Sequence, residues 1–400
     1  MALSTLLDRF SEPETLKMAK LGRELKAKGF DIIDLSLGEP DFNTPLHIKE
    51  AGKRAIDENY SHYTPVAGFM ELREAICAKL KRDNGLDYQP QQIVVSTGAK
   101  QCIANAMLAL LDKDDEIIIP TPYWVSYSEI ARLAGGKVIF LNGTAENGFK
   151  ITQEQLENSI TDRTRLLIFS SPCNPTGAVY SKEELKSLAS VFEKHPDVYI
   201  ISDEIYEYIN FEKNKNEKRE SLAQFDSIKN RVVIVNGMSK SFAMTGWRVG
   251  YSASNLEIAK ACEKIQGQFT SGTNAIAQRA SITALKESFE PTYEMVQQFE
   301  ARKKRVFELL KDFPNLKTIQ PAGAFYIFPE VKYYFGKKHG DSIIKDSNDL
   351  CMYLLNECHV STVAGASFGA PDHIRISFAN SLPNIEEGFN RLKKGLDQLK

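Results

Sequence analysis

The sequence predicts an α/β protein: a mostly parallel, seven-stranded sheet in a large domain, with a smaller α+β domain built from both termini. Three observations predict it. A length of 400 residues is too great for one small core and suits two packed domains. Short β-branched runs recur between about residue 90 and residue 255, and they are continuously apolar rather than alternating, as strands buried on both faces read. Helical patterns fall between several of these runs, and strands alternating with helices make a parallel sheet covered on both sides.

The elements follow in order. Residues 11–29 read as a charged amphipathic helix. The strand runs are Ile93-Val94-Val95-Ser96, Ile117-Ile118-Ile119, Val138-Ile139-Phe140-Leu141 and Leu166-Leu167-Ile168-Phe169. After them come Val198-Tyr199-Ile200-Ile201, Val232-Val233-Ile234-Val235 and Val249-Gly250-Tyr251. Between Ala99 and Leu111, Ile103, Ala106, Met107, Leu110 and Leu111 share one helical face. Another helix starts at Ser181, where Glu184 three residues on completes a capping box. The stretch 210–222 reads as a solvated loop, and Tyr293 to Leu310 as a long helix rich in Glu, Arg and Lys. Beyond it lie two hairpin-like pieces, "AGAFYIFPE" and "HIRISFANS". The expected division is 1–44 and 291–400 for the small domain and 45–290 for the large one.

Composition narrows the function. Hydrophobic and charged contents of 42% and 26% are those of an ordinary soluble globular protein. A net charge of -2 gives no electrostatic reason to expect nucleic acid or an anionic membrane as partner. The N-terminus lacks the basic head and apolar run of a signal peptide, and no stretch approaches a membrane span. The six cysteines are scattered without a C-x-x-C pair, which reads as reduced thiols in a cytoplasmic protein. The histidines are equally scattered, so no metal site is expected.

Four of the apolar runs are followed at once by polar signatures, and ligands of parallel sheets bind beyond the carboxyl ends of the strands. Ser96-Thr97-Gly98-Ala99-Lys100 opens a helix, whose first N–H groups suit a phosphate; a plain strand-to-helix turn would explain it as well. Ser170-Ser171-Pro172-Cys173-Asn174-Pro175-Thr176-Gly177 aims one amide from a rigid turn. Ser202-Asp203-Glu204-Ile205-Tyr206 sets a carboxylate and a phenol three residues apart, although Asp203 could serve as a helix N-cap alone. "NGMSKSFAMTGWRVGY" (236–251) presents Lys240 and Arg248 straight after a greasy strand. Most lysines are solvated surface charges, so each signal is modest by itself. Together they fit pyridoxal 5'-phosphate: an amine for its aldehyde, a carboxylate for its pyridine nitrogen, a phenol and an amide for its 3-oxygen, a glycine turn and an arginine for its phosphate.

The sequence resembles the fold-type I, class I aminotransferases, particularly the bacterial aspartate aminotransferase branch. The motifs that carry this are "LSLGEPDFNTP", "YTPVAG", "PYWVSY", "SPCNPTGAVY", "SDEIYE", "NGMSKSFAMTGWRVGY" and "HIRISFA", in the family's order along nearly the whole chain. The resemblance makes Lys240 the Schiff-base lysine and proton shuttle, Asp203 the partner of the ring nitrogen, and Tyr206 and Asn174 the ligands of the 3-oxygen. It stacks Trp124 on the cofactor ring and gives Gly98, Ala99, Ser239 and Arg248 to the phosphate. It makes Tyr63 a phosphate ligand reaching across from a second copy, hence a homodimer with shared active sites. Arg375 becomes the clamp for the substrate α-carboxylate, with Gly38 as a backbone contact, and Lys100 beside the phosphate turn becomes the reader of a distal carboxylate. The implied reaction is amino transfer from L-aspartate to 2-oxoglutarate. One departure is Glu12-Pro13-Glu14-Thr15, where relatives often carry a small serine, so prephenate or aromatic amino acids stand as alternative substrates. A C–S β-lyase on the same fold is a further alternative, whereas a nucleotide-dependent oxidoreductase lacks its G-x-G-x-x-G.

Overall fold

The apolar runs fold as the strands of one sheet in the computed structural model, which describes residues 3–11, 14–340 and 342–400. Glu12 and Pro13, which carry the departure noted above, lie outside the described residues. A short β1 (Ile33–Asp34) precedes β2 (Ile93–Ser96), β3 (Glu116–Thr121), β4 (Lys137–Asn142) and β5 (Thr164–Ser170). Then come β6 (Tyr199–Asp203), β7 (Val232–Gly237) and β8 (Gly250–Ala253). The seven strands β2 to β8 lie in the order β2-β8-β7-β6-β5-β3-β4. Within the sheet β8 runs antiparallel to both its neighbours, and every other pairing is parallel.

Alternate residues of each strand enter different cores, which is why the runs are apolar throughout. Val95, Ile118, Leu167, Ile200, Val232 and Ile234 belong to one buried cluster. Val94, Ile117, Leu166, Ile201, Val233 and Val235 belong to another. Burying each such side chain stabilises by roughly 1.5–3 kcal/mol relative to exposure. The run Val138 to Leu141 departs from the expectation of two-sided burial: β4 is an edge strand left partly uncovered, with Phe140 44% exposed, whereas β2 at the other edge is buried throughout.

Helices α1 (Glu14–Ala27), α2 (Leu46–Asp57) and α3 (Met70–Lys79) precede α4 (Ala99–Leu110), α5 (Ser126–Leu133), α6 (Gln153–Ser159) and α7 (Lys182–Lys194). Ser181 caps α7 through the expected reciprocal box with Glu184. The chain continues with α8 (Leu256–Phe269), α9 (Ala275–Lys286) and the 20-residue α10 (Glu290–Leu309). No described helix is long and apolar enough to cross a membrane.

The remaining strands are short: β9 (Tyr326–Ile327), β10 (Lys338–His339), β11 (Ser342–Ile343), β12 (Val360–Ser361), β13 (Val363–Ala364) and β14 (Ile374–Ser377). With α11 (Ser347–Cys358) and α12 (Leu382–Asp397), β9, β12, β13 and β14 form a further core that Met18, Ile32, Ile33 and Leu35 from the other end of the chain also enter. The two hairpin-like pieces are not separate hairpins; they pair with each other, Ile327 against Ile376 and Tyr326 against Ser377. The 210–222 stretch is solvated only in its middle, since Asn210 is buried. Its end turns inward, where Arg219 is 5% and Ser221 2% exposed and Ser221 donates to Glu204 at 2.6 Å.

Candidate active site

A cavity of about 370 Å³ opens beyond the carboxyl ends of β5, β6 and β7 and the start of α4. Gly98, the residue before α4, adopts φ +83° and ψ 162°, a region open essentially to glycine, and has no side chain to cap the helix. The first α4 N–H groups are therefore left for a ligand. A Cβ on Gly98 would stand 2.5 Å from Nη2 of Arg248, so the missing side chain is what lets that guanidinium lie over the turn. Ala99 and Lys100 line the cavity, as do Ser239 and Arg248 from the turn after β7. Partial burial, and then the charge of Arg248, holds the Lys100 ammonium below the usual lysine range. Among the described residues neither cation has a carboxylate partner, so the two together favour an anion.

Trp124 covers another wall, with the Lys100 ammonium 5.0 Å from its ring centre. Asp203 ends β6 and is 4% exposed; Oδ2 accepts from the Tyr127 hydroxyl at 2.6 Å and Oδ1 from the Ile205 N–H at 3.2 Å. Burial pushes its carboxyl up to about 6, against the pull of those two hydrogen bonds. Tyr206, on the same turn, shares a 2.7 Å hydrogen bond with the Tyr326 hydroxyl. Lys240 reaches the cavity and donates to the Gly38 carbonyl. Burial pulls its amine down to about 8, so the neutral amine is far more accessible near neutral pH than in an ordinary lysine.

Arg375 is buried inside the small sheet rather than displayed on its surface, at 2% exposure between the rings of Tyr326 and Phe368, 4.5 and 5.1 Å away. Nη1 donates to Asn174 Oδ1 at 2.9 Å and Nη2 to the Ser36 carbonyl at 2.5 Å. Its Nε has no partner among the described residues. Gly38 closes this corner: a Cβ there would stand 2.9 Å from the Tyr326 hydroxyl and 3.9 Å from both Arg375 terminal nitrogens.

The cavity thus brings together Gly38, Ala99, Lys100, Trp124, Asn174, Asp203, Tyr206, Ser239, Lys240, Arg248 and Arg375. Gly98 lies directly behind Arg248, and Tyr63 lies apart, 99% exposed. Sequence reasoning passed over three residues. Tyr127 was visible three positions after Trp124, the spacing that puts both on one face of a helical turn. Tyr326 lies in a run of buried residues, Phe325 to Phe328, and gives no local sign of its role. Glu39, inside "LGEPDF", stands at the cavity mouth and accepts from Thr245 at 2.7 Å.

Fold and site together define an α/β protein whose sheet sets a desolvated lysine amine, a buried carboxylate and an arginine around one cavity at its carboxyl edge. The chain belongs to the class I and II aminotransferases, whose family model matches residues 31–392. It is 42% identical over 399 residues to an aspartate aminotransferase of Bacillus subtilis, covering 100% of both chains. To a probable aspartate/prephenate aminotransferase of Rickettsia felis it is 43% identical over 394 residues, covering 98% of this chain and 96% of that one. Among solved structures, the aspartate aminotransferase from Rhizobium meliloti superposes with a TM-score of 0.95 at 39% identity, covering 100% of each chain. Aspartate aminotransferase from Thermus thermophilus with maleate superposes at 0.92 and 37%, covering 99% and 100%.

Proposed function

We propose that this aminotransferase uses pyridoxal 5'-phosphate, takes L-aspartate as amino donor and 2-oxoglutarate as acceptor, and works as a homodimer in the cytoplasm. One observation carries the reading: a desolvated amine, Lys240, and a desolvated carboxylate, Asp203, line one cavity without forming an ion pair among the described residues. Such a pair is costly in an isolated protein and useful only when a ligand stands between them.

The residues fit the cofactor. The glycine turn, with Ala99, Ser239 and Arg248, offers N–H groups and a cation to a phosphate. Asn174 has its oxygen engaged by Arg375, which leaves its two N–H groups to donate to a ring 3-oxygen alongside Tyr206. Asp203 would hold the ring-nitrogen proton, and Trp124 a ring face. When bound, the cofactor supplies an aldehyde for the amino group and a protonated ring that draws electrons away from the substrate Cα. Lys240 would be the residue that holds this aldehyde, and its amine is placed to act as the general base for the substrate Cα proton. Arg375 and the Gly38 backbone hold the α-carboxylate, which fixes the Cα–H bond relative to Lys240.

Lys100 is the cation assigned to a distal carboxylate, and the relatives' names support a dicarboxylic substrate. Relatives named as aspartate/prephenate enzymes support a second acceptor, prephenate, which also carries two carboxylates. The homodimer is supported by Tyr63 at 99% exposure and by Leu46, Ile56 and Phe269 left at 66%, 59% and 71%. All six cysteines are free thiols, which suits a reducing compartment.

The test is the visible absorption of the purified protein before and after L-aspartate is added without any keto acid. Stoichiometric loss of the cofactor band supports aspartate as donor. An unchanged band removes aspartate and turns attention to aromatic donors and lyase substrates.

A further inference from the structure

Asp203 is held from the protein side by a residue to which the sequence reading gave no role. Its Oδ2 receives the Tyr127 hydroxyl at 2.6 Å, and both groups are buried, at 4% and 1% exposure. Tyr127 lies in the first turn of α5, and its N–H reaches back to the Trp124 carbonyl at 2.9 Å. The two rings meet edge to face, 5.5 Å apart at 87°. One phenol therefore braces both the carboxylate and the indole that line the cavity.

The groups facing Asp203 come from every element packed around it: Cys102 of α4, Cys173 of the turn after β5, Tyr127, Tyr206 on its own turn, and Lys240. Burial raises both thiols and both phenols, so they remain neutral. Lys240 is the one cation of the set, and it makes no ion pair with Asp203 among the described residues. Burial alone would protonate the carboxyl; the donated hydrogen bonds oppose that, and Tyr127 supplies the shorter of the two.

We propose that Tyr127 is a positioning residue that keeps the Asp203 carboxylate ionised and aimed into the cavity, and so sets the charge met by the cofactor's ring nitrogen. The inference rests on the pyridoxal 5'-phosphate reading above. Tyr127 does this without adding charge, since its phenol stays neutral throughout the working range. A single hydroxyl is what the role requires.

Tyr127→Phe removes that hydroxyl and keeps the ring against Trp124. In the full chain freed of cofactor, the Asp203 titration is read by infrared difference between each protein and its Asp203→Asn counterpart. Tyr127→Phe should raise the midpoint by about one pH unit or more, the size of a lost hydrogen bond to a charged group. At neutral pH the same change should weaken pyridoxal 5'-phosphate binding by on the order of tenfold, and should add nothing in an Asp203→Asn background. Coincident midpoints for wild type and Tyr127→Phe would overturn the proposal. So would an equal loss of affinity in both backgrounds, which would make Tyr127 a packing residue. Failure of the wild type to bind pyridoxal 5'-phosphate would overturn the cofactor part alone, with the Asp203 midpoint still deciding the role of Tyr127.

Discussion

Substituting alanine at Gly98 separates two costs that a glycine in a binding loop usually confounds. The first is conformational: at φ +83° and ψ 162° a side chain is strained by about 1–3 kcal/mol. The second is spatial, because the new methyl would stand 2.5 Å from Nη2 and 3.0 Å from Cζ of Arg248. The end of a long side chain can swing away cheaply, so the clash should cost little stability and instead expel the guanidinium from the cavity. Gly85 provides the control: it also has positive φ, +70°, but a Cβ there meets nothing within 4 Å. Gly85→Ala should therefore cost about 1–2 kcal/mol and leave the site intact. Urea melts of the two variants should differ little. Absorption titration with pyridoxal 5'-phosphate should show Gly98→Ala binding roughly ten- to a hundredfold more weakly, the worth of one charge-assisted contact. If Gly98→Ala bound the cofactor as tightly as Gly85→Ala, Arg248 would not be a phosphate ligand and the cradle argument would fall.

Three further outcomes are expected. Arg375→Leu should lower kcat/KM for every α-amino acid by roughly a thousandfold, from two lost charge-assisted hydrogen bonds, and Arg375→Lys should recover little because it lacks the planar fork; intact turnover would refute the clamp. Behind the Asp203 turn, buried Lys79 pairs with Glu207 at 2.5 Å, and Glu207 also accepts from Asn236 at 2.6 Å. Lys79→Met should cost about 3–5 kcal/mol in denaturant melts by stranding a buried carboxylate, and Lys79→Met with Glu207→Gln should regain most of it. Lys240, pulled by burial from 10.5 to about 8, binds fewer protons folded than unfolded between those values. The cofactor-free protein should thus gain stability from this group as pH rises across that window, and the advantage of Lys240→Met over wild type should shrink in parallel melts.

The sheet was legible because successive residues of runs such as Ile93 to Val95 and Val232 to Val235 enter different cores in alternation, leaving no polar positions to obscure the pattern. The Val138 run misled because apolar character does not reveal which strand takes the edge. Lys240, Asp203 and Asn174 could be read as candidates since each lies in a polar stretch that opens where an apolar run ends. Arg375 could not be placed from its strand alone: its guanidinium lies against the rings of Tyr326 and Phe368, contacts that only tertiary structure creates. Tyr326 and Tyr127 stayed hidden for the same reason, being ordinary core aromatics until their hydroxyls find Tyr206 and Asp203. The pairing of the two hairpin-like pieces was likewise a long-range choice, made across some fifty residues rather than within either piece.

The hydrogen bond from Arg375 to Asn174 makes one amide answer to two ligands. Under the proposed roles, an acid arriving at the guanidinium bargains with Asn174 Oδ1 for the same donor, while the amide's other end grips the ring oxygen. Occupancy at one end then carries a coupling free energy to the other, and linkage makes that coupling reciprocal. Under those roles, whatever factor the substrate's arrival changes in the hold on the cofactor, the cofactor changes by the same factor in the hold on the substrate.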